Sequence, residues 1–335
     1  MFARQLKSVS ASTGRGTRRF WAMGGSAVAL FALVLSGCGG SSTSGAQGTP
    51  QANAVATSTV NCSTADQSSL HLVTPNELTI ASDTTYAPAE YVDPNNPNNF
   101  LGYDMDLVRE LARRLCLGPK IQTASFDSII DSLSGPPLGQ QKYDLSISSF
   151  TINSTRLQKV DFIPYFVAGE STLVAKGNPS NIKSVADMCG KTVSAQNGTI
   201  ELAELQALNG GNVDPSTEGV AQQPVCKTNV IHILSYDSEE DVIQQVVNGR
   251  AVASYQDQPV TDYYISLHQA QLEHGFITPN SQGTEGIAVR KDNPGLESAL
   301  KKALDDMVQD GTYKRIMKAW GQDQLACLPN CPASS

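Results

Sequence analysis

The chain lacks a surplus of positive charge, a membrane-length apolar run and any paired metal-ligand spacing. Its 335 residues hold 24 Lys and Arg against 32 Asp and Glu, a net charge of −8. Such a surface repels nucleic acid and anionic lipid. The apolar run Ala27 to Leu35 is shorter than the ~20 residues a spanning helix needs. No C-x-x-C pair occurs, and His71, His232, His268 and His274 are scattered, so no metal site is expected. The histidines share no motif with a Ser, Asp or Cys that would make a nucleophile and base. Gly190-Lys191-Thr192 looks like the end of a P-loop, but Val185 stands where its first glycine belongs and no phosphate cradle follows. No cofactor is expected.

What is present begins with an export signal over residues 1–37. Arg4, Lys7, Arg15, Arg18 and Arg19 stand without an acidic residue ahead of Ala27 to Leu35 and then Leu35-Ser36-Gly37-Cys38. Leu-Ser-Gly-Cys resembles a bacterial lipobox, which would make Cys38 the lipidated first residue of the mature chain. Without the signal, 19 basic residues face 32 acidic ones, a net of −13. Residues 38–70 are rich in Ser, Thr, Ala, Gly and Gln and read as a flexible tether. The remainder exceeds a comfortable single α/β core and favours two lobes. Beyond Cys38 six cysteines remain, an even set that in an exported chain suggests three disulfides. The favoured pairs are Cys189 with Cys226, Cys327 with Cys331 and, by elimination, Cys62 with Cys116, although spacing leaves the connectivity open.

The periodicities alternate strand and helix. Leu78 to Ala81 is a strand opening into the polar turn Ser82 to Pro88. Asp104 is expected to cap a helix whose apolar stripe is Leu107, Val108, Leu111, Ala112 and Leu115. A helix over Phe126 to Leu133 precedes a strand over Tyr143 to Ser149. Later come a strand at Ser171 to Ala175, a helix at Val185 to Met188 and a strand at Thr192 to Ala195. Asp237 and Glu240 read as a capping box for a helix ending at Asn248-Gly249, followed by the strand Ala251 to Tyr255. Gly286 to Val289 returns to strand, and Pro294 to Trp320 gives two helices separated at Asp310-Gly311. The expected class is α/β with mostly parallel sheets, lobe two (173–280) inserted into lobe one (71–172 and 281–335).

Ligands of open α/β sheets sit at the carboxyl ends of the strands. Three polar clusters fall there: Asp83 to Tyr86, Ser148 to Arg156, and Gln256-Asp257. In DLSISSFTINSTR a strand runs into hydroxyls and then one arginine. Arg156 offers a planar fork of donors matched to a carboxylate, with hydroxyl and backbone donors beside it.

In register, these segments resemble the extracellular solute-binding proteins of polar amino-acid ABC transporters, which have a type II periplasmic-binding fold. The pieces are IASDTTYAP, GYDMDLVRELARRL, FDSIIDSL, YDLSISSFTINSTR, VDFIPYF, KTVSAQNGTI and DGTYKRIMKAWG, in family order between Leu78 and Gly321. The resemblance implies that Arg156 pairs with the α-carboxylate of a free amino acid, helped by Thr151. It implies that Asp257 receives the α-ammonium, with the Ser149 carbonyl contributing. Tyr86 and Phe126 would be aromatic walls, and Thr199 a helix-start donor to the carboxylate. Asp83 would meet the distal end of the ligand side chain, with Glu90 a more distant candidate; two acids there lean toward a polar or basic side chain. Ile200 and Ala89 depart from the family pattern near the specificity region.

The function so implied is a lipid-anchored receptor on the outer face of the cell membrane. It would act as a monomer, bind a free amino acid in an interlobe cleft and deliver it to an ABC permease, without catalysis. Two alternatives share the fold: a cyclohexadienyl dehydratase acting on arogenate or prephenate, and a sensory binding protein.

Overall fold

The computed structural model describes residues 67–211, 225–278 and 282–333. The signal segment, Cys38 and Cys62 lie outside them. Within the stretch expected to be a tether, Ser68–Leu70 already forms a short 3-10 turn. It docks on the fold, with the Leu70 carbonyl accepting from Asn293 Nδ2 at 2.7 Å and Gln67 Nε2 donating to the Cys116 carbonyl at 3.2 Å.

The first strand, β1 (Glu77–Ser82), is buried from Leu78 onward and leads into a ribbon of β2 (Thr85–Tyr86), β3 (Glu90–Asp93) and β4 (Asn96–Leu101). Helix α1 (Tyr103–Arg114) follows. Its stripe Met105, Leu107, Val108, Leu111 and Ala112 is fully buried, and burying each large aliphatic side chain stabilises the fold by about 1.5–3 kcal/mol. Its N-cap is Gly102, not Asp104. The φ of +132° at Gly102, and a backbone carbonyl of Ala89 lying 1.8 Å from where a Cβ would stand, admit only glycine. Asp104 sits inside the first turn, buried, and accepts from the Ser149 N–H at 3.2 Å.

Next come β5 (Gly118–Thr123), α2 (Phe126–Ser134), β6 (Leu145–Ser146), α3 (Ser154–Lys159) and β7 (Val160–Ala168). Strand β6 is shorter than Tyr143 to Ser149, because Ser149 turns into positive φ (46°) and ends the extended run. After Gly169 the chain enters a second sheet through β8 (Glu170–Ala175), three residues ahead of the expected boundary at 173. A 3-10 turn at Val185–Met188 leads to β9 (Thr192–Gln196), α4 (Ile200–Leu208), β10 (His232–Tyr236) and α5 (Glu239–Val247). The cap of α5 is Ser238. The capping box does not form, and Asp237 Oδ1 accepts instead from Asn197 Nδ2 at 2.7 Å. Then follow β11 (Ala253–Asp257), α6 (Gln258–Leu267), β12 (Leu272–Ile277), β13 (Gly283–Arg290), α7 (Pro294–Gln309) and α8 (Thr312–Ala319).

The strand orders are β5-β1-β6-β13-β7 and β10-β9-β11-β8-β12. In each sheet three strands are parallel, as the helical crossovers between them require. The antiparallel members are those by which the chain leaves and re-enters: β13 pairs β6 and β7, and β8 pairs β11 and β12. Four of the five strands in each sheet thus run the same way, with β13 and β8 the reversed ones, so the expectation of mostly parallel sheets holds. Cys189–Cys226 and Cys327–Cys331 are disulfides, and Cys116 is disulfide-bonded as well.

Candidate functional site

The carboxyl ends of β1 and β6 face those of β9 and β11. Four contacts join them. Gln196 Nε2 donates to Asp83 Oδ2 at 2.7 Å, Tyr86 Oη to Asp257 Oδ2 at 2.9 Å, the Glu239 N–H to Thr85 Oγ1 at 3.1 Å, and Arg156 Nη2 to the Gly198 carbonyl at 3.1 Å. Between them a narrow cavity is lined by Tyr86, Phe126, Ser149, Thr151, Arg156, Gln196, Thr199, Ile200, Glu201 and Asp257.

Arg156 comes from the first turn of α3, where Asn153 Oδ1 caps its N–H at 2.9 Å. Its Nη1 donates to the Thr151 carbonyl at 2.8 Å. The guanidinium lies 5.3 Å from the centre of the Phe126 ring and 5.1 Å from that of Phe150, and these rings stack 4.5 Å apart. This cation–π seat presents the fork to the cavity.

Across the cavity, Asp257 ends β11. Burial pushes its carboxyl up to about 6, while the Tyr86 hydroxyl and the Arg156 charge pull the other way. Thr199 is the N-cap of α4: its hydroxyl donates to the Gln196 carbonyl at 2.8 Å and accepts from the Leu202 N–H at 3.2 Å. The start of that helix, Thr199 to Glu201, lines the cavity.

Seven of the eight residues expected at the ligand line this cavity. Asp83 does not. Its Oδ1 accepts from Thr85 Oγ1 at 2.7 Å, and its Oδ2 from the Phe126 N–H at 3.2 Å as well as from Gln196. Burial pushes it up to about 6 against those donors, and every donor is the protein's own. Glu90 is likewise occupied, accepting from Ser148 Oγ at 2.8 Å, and lies off the lining.

Two lining residues carried no expectation, Gln196 and Glu201. Helix phase would have found Glu201: with Thr199 as N-cap, residue 201 stands in the first turn beside the cavity. Farther into the second sheet, the Tyr255 hydroxyl lies 2.6 Å from Glu170 Oε2 and 2.9 Å from Glu204 Oε2. Burial raises Glu170 to about 9 and Glu204 to about 7, and the Glu204 charge adds to the rise at Glu170.

Residues 78–323 match the sequence profile of the bacterial extracellular solute-binding proteins, family 3. The chain belongs to that family. Among curated relatives, the histidine-binding periplasmic protein of Escherichia coli is 27% identical over 252 residues, which are 73% of this chain and 88% of the relative. Among solved structures, an ancestral arginine-binding protein bound to arginine aligns with TM-score 0.63 at 30% identity, covering 73% of this chain and 98% of that one. An ancestral amino acid-binding protein, described as a precursor of cyclohexadienyl dehydratase, aligns with TM-score 0.58 at 30% identity, covering 73% and 95%. Membership of family 3 makes this an exported protein.

Proposed function

We propose that the chain is the receptor of an ABC transporter: it takes one free amino acid into the cavity between the two sheets and hands it to a membrane permease. The observation that carries this is the pairing of one cation and one anion on the cavity lining, Arg156 from α3 and Asp257 from the end of β11. An α-amino acid presents the complementary pair on a single carbon. Its carboxylate would meet the Arg156 fork and the start of α4; its ammonium would meet Asp257 and the Ser149 carbonyl. Each charge-assisted hydrogen bond contributes roughly 1.5–3 kcal/mol. Four or five of them suffice for the ~8 kcal/mol of micromolar affinity after association costs.

The names of the relatives support this reading, which includes no catalysis. The lobe division follows the sheets, with crossings at Gly169 and ahead of β13. Attachment to the membrane through a lipid on Cys38 belongs to the same proposal, as does action as a monomer; mass analysis of the mature N-terminus and sedimentation of the soluble form test these. Calorimetry against the common amino acids tests the central claim. Micromolar or tighter binding of at least one is expected. Binding of none, or turnover of arogenate or prephenate, would overturn it.

A further inference from the structure

Charge bookkeeping in the cavity does not close on a zwitterion alone. Among the described residues on its lining the cation is Arg156, and the carboxylates are Asp257 and Glu201. The two ends of an amino acid neutralise Arg156 and Asp257, which leaves Glu201. That side chain is 2% exposed, and its Oε1 has no hydrogen-bond partner. Glu239 is off that lining, but Glu201 acts on it electrostatically. It is fully buried, both its oxygens are without a partner, and Glu201, Asp257 and Asp83 are the charges acting on it. The Tyr86 hydroxyl in turn feels Asp257, Glu201 and Glu239 together.

The backbone explains how two such groups come together. Strands β9 and β10 are parallel neighbours in register at Gln196 and Tyr236. The helices that follow them place Glu201 in the first turn of α4 and Glu239 at the first position of α5. First-turn acids stabilise a helix even when solvated, so capping alone gives no reason to bury them. A buried carboxylate without a donor is costly. Asp83, the acid whose position pointed toward the ligand side chain, is off the lining and already accepts from three of the protein's own donors.

We infer that Glu201 and Glu239 form the receptor for a positively charged side-chain end, a guanidinium or ammonium, on the bound amino acid. Gln196 stands beside them and is held by Asp83 and the Asp237 carbonyl, at 2.7 and 2.9 Å. Its amide therefore cannot supply the missing donors. The inference rests on the amino-acid reading and adds its specificity.

The test is titration calorimetry of the intact mature protein with L-arginine and L-citrulline, which share a shape and differ in side-chain charge, and with L-lysine and L-glutamine. Arginine is expected to bind at least a hundredfold more tightly than citrulline. Glu201→Gln and Glu239→Gln should each lower that ratio tenfold or more. Equal affinity for arginine and citrulline in the unaltered protein overturns the inference, whether or not the variants fold. So does an unchanged ratio in both variants whose circular dichroism and melting match the parent. Binding of neutral amino acids without arginine or lysine overturns this inference and leaves the amino-acid receptor standing; binding of no amino acid overturns both.

Discussion

Tyr86 and Asp257, 171 residues apart in sequence, exchange two hydrogen bonds across the cavity: the phenol donates to Oδ2 at 2.9 Å and accepts from the Asp257 N–H at 3.1 Å. Each residue belongs to a different sheet, so this pair ties the halves of the molecule together at the site itself.

Tyr86→Phe removes the phenol's donor and its acceptor, leaving a buried carboxylate oxygen and a buried N–H short of partners. The expected loss is about 1–3 kcal/mol of unfolding free energy, read from urea denaturation of the ligand-free protein. An unchanged midpoint would show that the bond adds nothing to stability.

The zwitterion anchors make a second prediction. Arg156→Ala and Asp257→Ala should each weaken amino-acid binding by roughly a hundredfold or more, since each leaves a desolvated ligand charge unpaired. Arg156→Lys keeps the charge but not the planar fork, and should recover only part of the loss. Parental affinity in either alanine variant, measured by calorimetry, would show that the site has been misplaced.

Gly198 supplies a third. Its φ is +79°, and a Cβ there would stand 2.6 Å from the Asp127 Cα of α2 in the other sheet's half. Gly198→Ala should therefore hold the halves apart, break the Arg156 contact with the residue 198 carbonyl and weaken binding at least tenfold. Small-angle scattering with and without ligand reports the outcome; a variant that compacts on ligand addition like the parent refutes it.

The Glu170, Glu204 and Tyr255 group predicts how stability depends on pH. The one phenolic proton cannot serve two carboxylates, so a carboxyl proton is held between them. Burial places Glu170 at about 9 and Glu204 at about 7, both above the ordinary 4.5. The folded protein therefore binds more protons than the unfolded chain between those values, and stability falls as pH rises. The ligand-free protein should melt highest near pH 5 and progressively lower toward pH 9. Glu170→Gln should flatten the slope, most of all between pH 7 and 9; an equal slope in parent and variant would assign it elsewhere.

Much of the site was legible in the sequence because it rests on local patterns at strand ends. Arg156 follows Asn153 by one helical turn, Thr199 directly precedes an apolar helix, and Asp257 closes a strand. What was not legible depends on partners far along the chain. Asp83, expected at a ligand's side chain, lies off the cavity lining and accepts from Gln196, 113 residues away, and no local pattern shows that an amide from the second sheet will reach it. Asp104 and Asp237 looked like caps because acids do cap helices. Gly102 won the first position through close approach to the Ala89 carbonyl, and Asn197 took the Asp237 carboxylate. Glu239 went unnoticed because the Asp237 to Glu240 spacing drew the helix start elsewhere by one residue. The antiparallel strands β8 and β13 follow from the chain's two crossings between sheets, which hydrophobic periodicity does not encode.

The unpartnered carboxyl of Glu239 has a consequence for the heat of binding. Burial and the neighbouring Glu201, Asp257 and Asp83 charges all raise its proton affinity in the empty protein. A cation arriving beside it favours the ionised form, so the proton it holds goes to the solution. Capture of the ligand is then an exchange of one positive charge for another, and its apparent enthalpy should shift with the ionisation enthalpy of the buffer, in phosphate against Tris. Identical heats in the two would mean that Glu239 keeps its proton throughout.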